Sequence, residues 1–185
     1  QRYQNNLLSN EKNLLLLKNA FNLKNTPKRI EIYDNSHIQG SYAVGAMVVA
    51  NEEGLNKAEY RKFNIKNAKT NDDFAMMNEV IRRRFKRIVK KKSIDRLKYP
   101  DIILIDGGKG QYSSTKKALE SLNVRDVTII SIAKGEKRNA GREKFYTSRE
   151  KPYLFKPNDP MLFYLQRLRD EAHRFAIGTH KAKRK

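Results

Sequence analysis

Residues 101–133 restrict the fold more than any other part of the chain. Residues 101–106 (DIILID) are a short apolar run between two aspartates, stopped by Gly107-Gly108. Residues 111–122 have helical composition, and 127–133 form a second short apolar run. Apolar runs of this length, bounded by turn residues, suit strands covered on both faces. Strand, helix and strand in that order predict a βαβ crossover, and so a parallel pair inside a sheet.

Upstream, residues 29–34 (RIEIYD) alternate with Ile30, Ile32 and Asp34 on one face, the period of a strand. Residues 42–50 are almost continuously apolar, and 57–65 alternate again after the turn Asn51-Glu52-Glu53-Gly54. Together these predict a three-stranded meander. Asn71-Asp72-Asp73 then caps a helix whose buried stripe is Phe74, Met77, Ile81, Phe85 and Ile88. Its other faces carry Arg82, Arg83, Arg84, Lys86 and Arg87, read as a solvated face or a DNA-backbone contact. Residues 134–158 read as a loop or hairpin, and a last helix runs from Pro160 to about residue 177. The expected architecture is α/β, a mixed sheet of five strands with helices on both faces. Residues 1–28 would be a lead-in helix and linker, 29–180 the domain and 181–185 a basic tail.

Forty Lys and Arg against twenty Asp and Glu leave a formal charge of +20. An excess of this size repels itself unless a polyanion shares the surface, and nucleic acid is the commonest such partner. A Lys- and Asn-rich composition alone does not create net charge. A membrane partner is not expected, because no long basic amphipathic helix or lipidation signal is present. With no cysteine, disulfides and thiolate zinc sites are excluded. No apolar run approaches the ~20 residues that span a bilayer, and no secretory signal is visible. The chain reads as part of a larger cytoplasmic protein.

Asp34 and Asp106 each end an apolar strand just before turn residues. Ligands bind outside the carboxyl ends of parallel strands in open α/β sheets. Neighbouring strands lie ~4.8 Å apart, so the two carboxylates would face one small volume. Two anions so close call for a cation between them, and hard oxygen donors suit Mg²⁺ or Mn²⁺. Either Asp alone is as well explained by a turn; two in equivalent positions of a basic chain favour a site. On the last helix, Gln166, Arg169 or Asp170, and His173 form a polar stripe beside the core stripe Met161, Leu165, Leu168, Ala172 and Phe175. His173 is open to three readings: structural, metal ligand or general base.

Gly107-Gly108-Lys109-Gly110-Gln111 lets backbone approach a phosphate, with Lys109 adding charge. It lacks the Walker A and G-x-G-x-x-G spacings, and a tight turn explains it almost as well. Lys134, Lys137, Arg138 and Arg142 form a basic loop suited to closing on a polyanion. Asp72 and Asp73 read first as helix-start acids, and His37 as a turn residue or a lining of the site.

Four motifs carry a resemblance. YDNSH (33–37), NDDF (71–74), IDGGKGQ (105–111) and RLRDEAHRFA (167–176) closely resemble the C-terminal endonuclease region of the bacterial UvrC family, a component of the excinuclease ABC system. The match runs in order from about Arg29 to Lys183. It implies an RNase H-like nuclease that makes the 5′ incision beside a lesion in nucleotide excision repair. The family's Asp–Asp–His site falls on Asp34, Asp106 and His173, and its further acid on the Asp72-Asp73 pair, in particular Asp73. Gln111 and Arg174, which stand within these motifs, join Lys109 as expected nucleic-acid contacts. The implied partners are damaged double-stranded DNA and the excinuclease component UvrB, the latter through regions mostly outside this chain. Asn35 and Asn71 depart from the family's usual residues without touching the expected ligands. The family's GIY-YIG nuclease, UvrB-binding segment and helix-hairpin-helix module are not in this sequence. The chain on its own is therefore expected to cut poorly or unselectively. Two rivals remain: a non-catalytic nucleic-acid-binding module on the same fold, and an RNA-scaffold protein, which gives no reason for paired strand-end aspartates.

Overall fold

The structure, a computed structural model, describes residues 2–38, 42–90, 99–135 and 143–183. Its elements are α1 (Arg2–Ala20), β1 (Arg29–Ile38), β2 (Tyr42–Asn51), β3 (Gly54–Leu55), a 3₁₀ turn (Lys57–Glu59) and β4 (Arg61–Asn64). After these come α2 (Asp73–Lys90), β5 (Ile102–Asp106), α3 (Lys109–Ser121), β6 (Thr128–Ala133), β7 (Lys144–Tyr146) and α4 (Pro160–Lys183). Among the described residues the sheet has seven strands in the order β3-β2-β1-β5-β6-β7, with β4 also paired to β2. β1, β5 and β6 run parallel, and the outer strands are antiparallel.

The period-2 alternation of the central strands divides the core in two. Ile30, Ile32, Ile102, Leu104, Ile130 and Ile132 pack under α1 and α4. Tyr33, Met47, Ile103, Ile105 and Ile129 pack under α2 and α3. Each fully buried aliphatic side chain contributes roughly 1.5–3 kcal/mol, so a sheet covered on both faces is well stabilised without any disulfide. The mixed α/β architecture with helices on both faces is therefore present.

Four details differ from the sequence reading. Residues 57–65 are not one strand: Lys57–Glu59 form a 3₁₀ turn and only Arg61–Asn64 pair with β2 as β4, while the extra strand β3 lies before them at Gly54–Leu55, against a separate stretch of β2. The segment 134–158 contributes β7, held on β6 by pairing of Ala133 with Lys144 and Ile132 with Phe145. These account for seven strands rather than five. Leu14, Leu17 and Phe21 of the lead-in are buried beneath the sheet, so α1 belongs to the core. α4 continues to Lys183, through most of the expected basic tail, while residues 184–185 lie outside the described residues.

The basic face of α2 also needs correcting. Arg84 is buried, and its guanidinium donates to Glu31 at 2.9 Å. Arg29 Nε donates to the same carboxylate at 3.1 Å and the Tyr33 hydroxyl at 2.5 Å. Glu31 sits on the α2 side of β1 with no exposure, so this charged side chain is accepted in the core because two cations meet it. Phe74, expected in the core stripe, is half-exposed, whereas Met77, Ile81, Phe85 and Ile88 are buried. No described helix is long and apolar enough to cross a membrane.

Candidate active site

The parallel register of β1 and β5 ends with Tyr33 opposite Ile105. The next residue on each strand is the aspartate, so Asp34 and Asp106 stand side by side on the face covered by α4. Asp106 ends β5 as expected, but Asp34 does not end its strand, because β1 continues to Ile38 through its pairing with β2. Asp34 is buried and Asp106 partly so. Burial pushes the Asp34 carboxyl above its usual range, and the negative charge of Asp106 adds to this. A hydrogen bond with His173 and the amide of Asn35, 2.9 Å from Oδ1, work in the opposite direction. Two carboxylates are thus held on neighbouring strands, where the parallel pairing ends, with incomplete charge compensation.

His173 reaches this pair from α4. Leu165, Leu168, Ala172 and Ala176 are buried and seat the helix on the sheet. The adjacent polar stripe is fixed by Glu143, just before β7: Gln166 Nε2 donates to it at 2.8 Å and Arg169 lies 3.7 Å away. One turn on, His173 Nδ1 stands 3.1 Å from Asp34 Oδ2. The imidazole is 62% exposed, so its Nε2 side is open to a ligand. Glu143 itself is not legible in the sequence: an acid in a charged segment gives no sign that it will be buried under a helix.

Asp34 and Asp106 form one wall of a cleft of about 900 Å³. The start of α2 lines the same cleft. Asp72 Oδ1 accepts from the Ala75 amide at 3.0 Å and so caps the helix, as the sequence suggests. Asp73 is exposed, lines the cleft and lies 3.4 Å from His37 Nε2, so His37 does line the site. Lys69 and Phe74 line it as well. Neither stands out in the sequence, Lys69 because it is one lysine among many and Phe74 because it fits the helical stripe.

The glycine-rich turn forms the floor. Gly107 has φ +149°, and a Cβ there would collide with the Gln111 side chain, so glycine is required. The Ser131 hydroxyl donates to the Gly107 and Gly108 carbonyls at 2.6 and 2.9 Å, tying the turn to β6. α3 begins at Lys109 with no side-chain cap on Gly108, leaving its first amides directed at the cleft end of the sheet. Gln111 is buried in the cleft lining, its Oε1 without a protein partner. Lys134 lines the cleft, Lys109 is exposed beside it, and Arg174 is exposed on α4 with Nε donating to Glu171 at 2.6 Å. Lys137, Arg138 and Arg142 lie outside the described residues.

Among the described residues, no three His, Asp or Glu side chains are already gathered as a metal cage. His173 is engaged with Asp34 through Nδ1, which leaves a two-carboxylate donor set. That set fits a hard divalent ion chemically: all-oxygen donors, two like charges together, and one of them pushed toward protonation by burial.

Comparison with known proteins gives the family. Residues 18–177 match the family model described as the UvrC RNase H endonuclease domain. UvrABC system protein C of Maricaulis maris is 55% identical over 174 residues, covering 91% of this chain and 27% of that protein. The protein of the same name from Hyphomonas neptunium is 52% identical over 181 residues, covering 95% of this chain and 30% of its own length. The chain thus spans under a third of the curated relatives it matches. The crystal structure of human ENDOV aligns over 86% of this chain and 87% of its own with a TM-score of 0.52 at 10% identity, a likeness of fold. With the family match covering most of its length, the chain belongs to the UvrC RNase H endonuclease domain family.

Proposed function

We propose that the chain is a divalent-metal-dependent endodeoxyribonuclease, and that within the whole protein it makes the cut 5′ to a lesion during nucleotide excision repair in the cytoplasm. The observation that carries this reading is the Asp34–Asp106 pair, one residue past the last parallel pairing of β1 and β5, with His173 hydrogen-bonded to Asp34. Asp34 and Asp106 would hold Mg²⁺ or Mn²⁺, which when bound polarises the phosphate and lowers the pKa of water.

The protein's own groups supply the rest. His173, oriented through Nδ1 by Asp34, presents Nε2 to accept the proton of the attacking water or to complete the ligand set. Asp73 adds negative charge to the same cleft. Lys109, Gln111, Lys134, Lys137, Arg138, Arg142 and Arg174 hold the backbone of damaged double-stranded DNA by charge and hydrogen bonds. UvrB delivers that DNA through regions mostly outside this chain.

The test is nicking of supercoiled plasmid with Mg²⁺ or Mn²⁺, comparing the chain with Asp34→Asn, Asp106→Asn and His173→Ala. Loss of nicking of at least a hundredfold in both aspartate variants, with DNA binding kept or strengthened, is expected on the scale of general acid–base and metal chemistry, roughly 10²–10⁴-fold. The rival, a module that binds nucleic acid without cutting it, requires the aspartate substitutions to leave every measured property nearly unchanged.

A further inference from the structure

Phe74 is the residue whose position the helical stripe fails to explain. It is the second residue of α2, directly after Asp73, and its side chain is 51% exposed where the rest of the stripe is buried. Single exposed apolar residues are ordinary on protein surfaces. Phe74 differs from the others in three respects. It lines the cleft that contains Asp34, Asp106 and Asp73. Its ring tip rests over Gly110 in the first turn of α3, so closely that a Cβ at Gly110 would fall 2.6 Å from Phe74 Cζ. And it is carried by a helix start already fixed by the Asp72 cap, so the ring stands on a rigid base.

An aromatic ring held this way, half-open beside a turn of free helix amides, has a specific use in a protein of charge +20. The amides and Lys109 attract a phosphate, and the ring offers a π-face within a nucleotide's reach of it. Stacking of a base on an aromatic side chain is tolerant of sequence, as a ligand with varied bases needs. We infer that Phe74 is a stacking platform for one unpaired base of the strand whose phosphate lies on the α3 turn. That base would be drawn out of the duplex next to the scissile position. The inference rests on the nuclease reading above and adds a strand-positioning residue to it. It involves no covalent step.

The test uses single-stranded DNA in which 2-aminopurine is moved along the sequence, titrated with the chain in EDTA so that no cutting occurs. Wild type and Phe74→Trp should quench 2-aminopurine most strongly at one position relative to the bound end. Phe74→Leu keeps apolar bulk without a ring, and Phe74→Ala removes both. Both should lose that quench and bind the strand roughly 5- to 100-fold more weakly, the scale of one stacked base. The dependence of affinity on salt should keep its slope, because no phosphate contact is lost. Phe74→Leu binding and quenching like wild type would overturn the inference while leaving the nuclease reading intact. Failure of the wild-type chain to bind DNA at all would overturn both, and loss of the far-ultraviolet helical signal in Phe74→Leu, absent in Phe74→Trp, would assign the ring to folding instead.

Discussion

Glu31 and Asp34 lie three residues apart on β1 and meet opposite fates. Glu31 faces α2, is fully buried, and is satisfied by two guanidiniums and a phenol: Arg84, Arg29 and Tyr33. Asp34 faces α4, is nearly as buried, and has a second carboxylate beside it with one histidine and one amide for support. The first carboxylate is neutralised within the fold. The second is left short of positive charge at the end of the sheet where the cleft beside α2 opens. Burial alone therefore does not mark a functional acid; the balance of partners does.

The contrast breaks first at Glu31. Glu31→Ala leaves Arg29 and Arg84 buried against each other, and removing one partner of a buried charge network costs about 3–5 kcal/mol. For a chain of this size that is a fall in Tm on the order of 10 °C, readable by thermal melts. Asp34→Asn should do the reverse. Because the folded carboxyl is held above its usual 3.8, the native state keeps a proton that the unfolded chain has lost, and stability declines as pH rises through that interval. Below both values nothing is lost, and above both the cost is constant. The asparagine variant, melted in EDTA, should therefore gain on wild type as the pH rises from below the usual carboxylate value, by ~2–4 °C for each kcal/mol recovered. A variant that loses stability at pH 7 by as much as Glu31→Ala would erase the distinction between the two acids.

Much of this distinction is legible without coordinates. The aspartates stand out because residues 29–34 and 101–106 carry a clear apolar pattern that places both acids at the carboxyl side of a parallel pair, although β1 in fact runs four residues past Asp34. His173 falls on the right polar stripe by spacing, though only the packing of α4 brings its Nδ1 to Asp34. What the sequence hides depends on partners distant along the chain. Arg84 reads as one more surface cation until Glu31, fifty-three positions away, is found beneath it. Phe74 fits a buried period, yet as the second residue of α2 it lies against Gly110 at the cleft and stays half-exposed. β3, β4 and β7 are two to four residues long, and their pairing with a neighbour, rather than their own alternation, makes them strands. α1 resembles a leader because its Asn- and Lys-rich sequence hides the few leucines that dock it.

An acid pair short of positive charge is the centre of the proposed chemistry, and titration calorimetry with Mn²⁺ on the wild-type chain, Asp106→Asn and Asp34→Asn addresses it directly. Wild type should bind Mn²⁺ with a saturable heat change, and its Tm should rise by the equivalent of about 2.7 kcal/mol at a hundred times Kd. Both asparagine variants should show neither effect while melting as folded proteins. Undiminished Mn²⁺ binding in Asp106→Asn, or none in wild type, would contradict a metal-holding role for the pair.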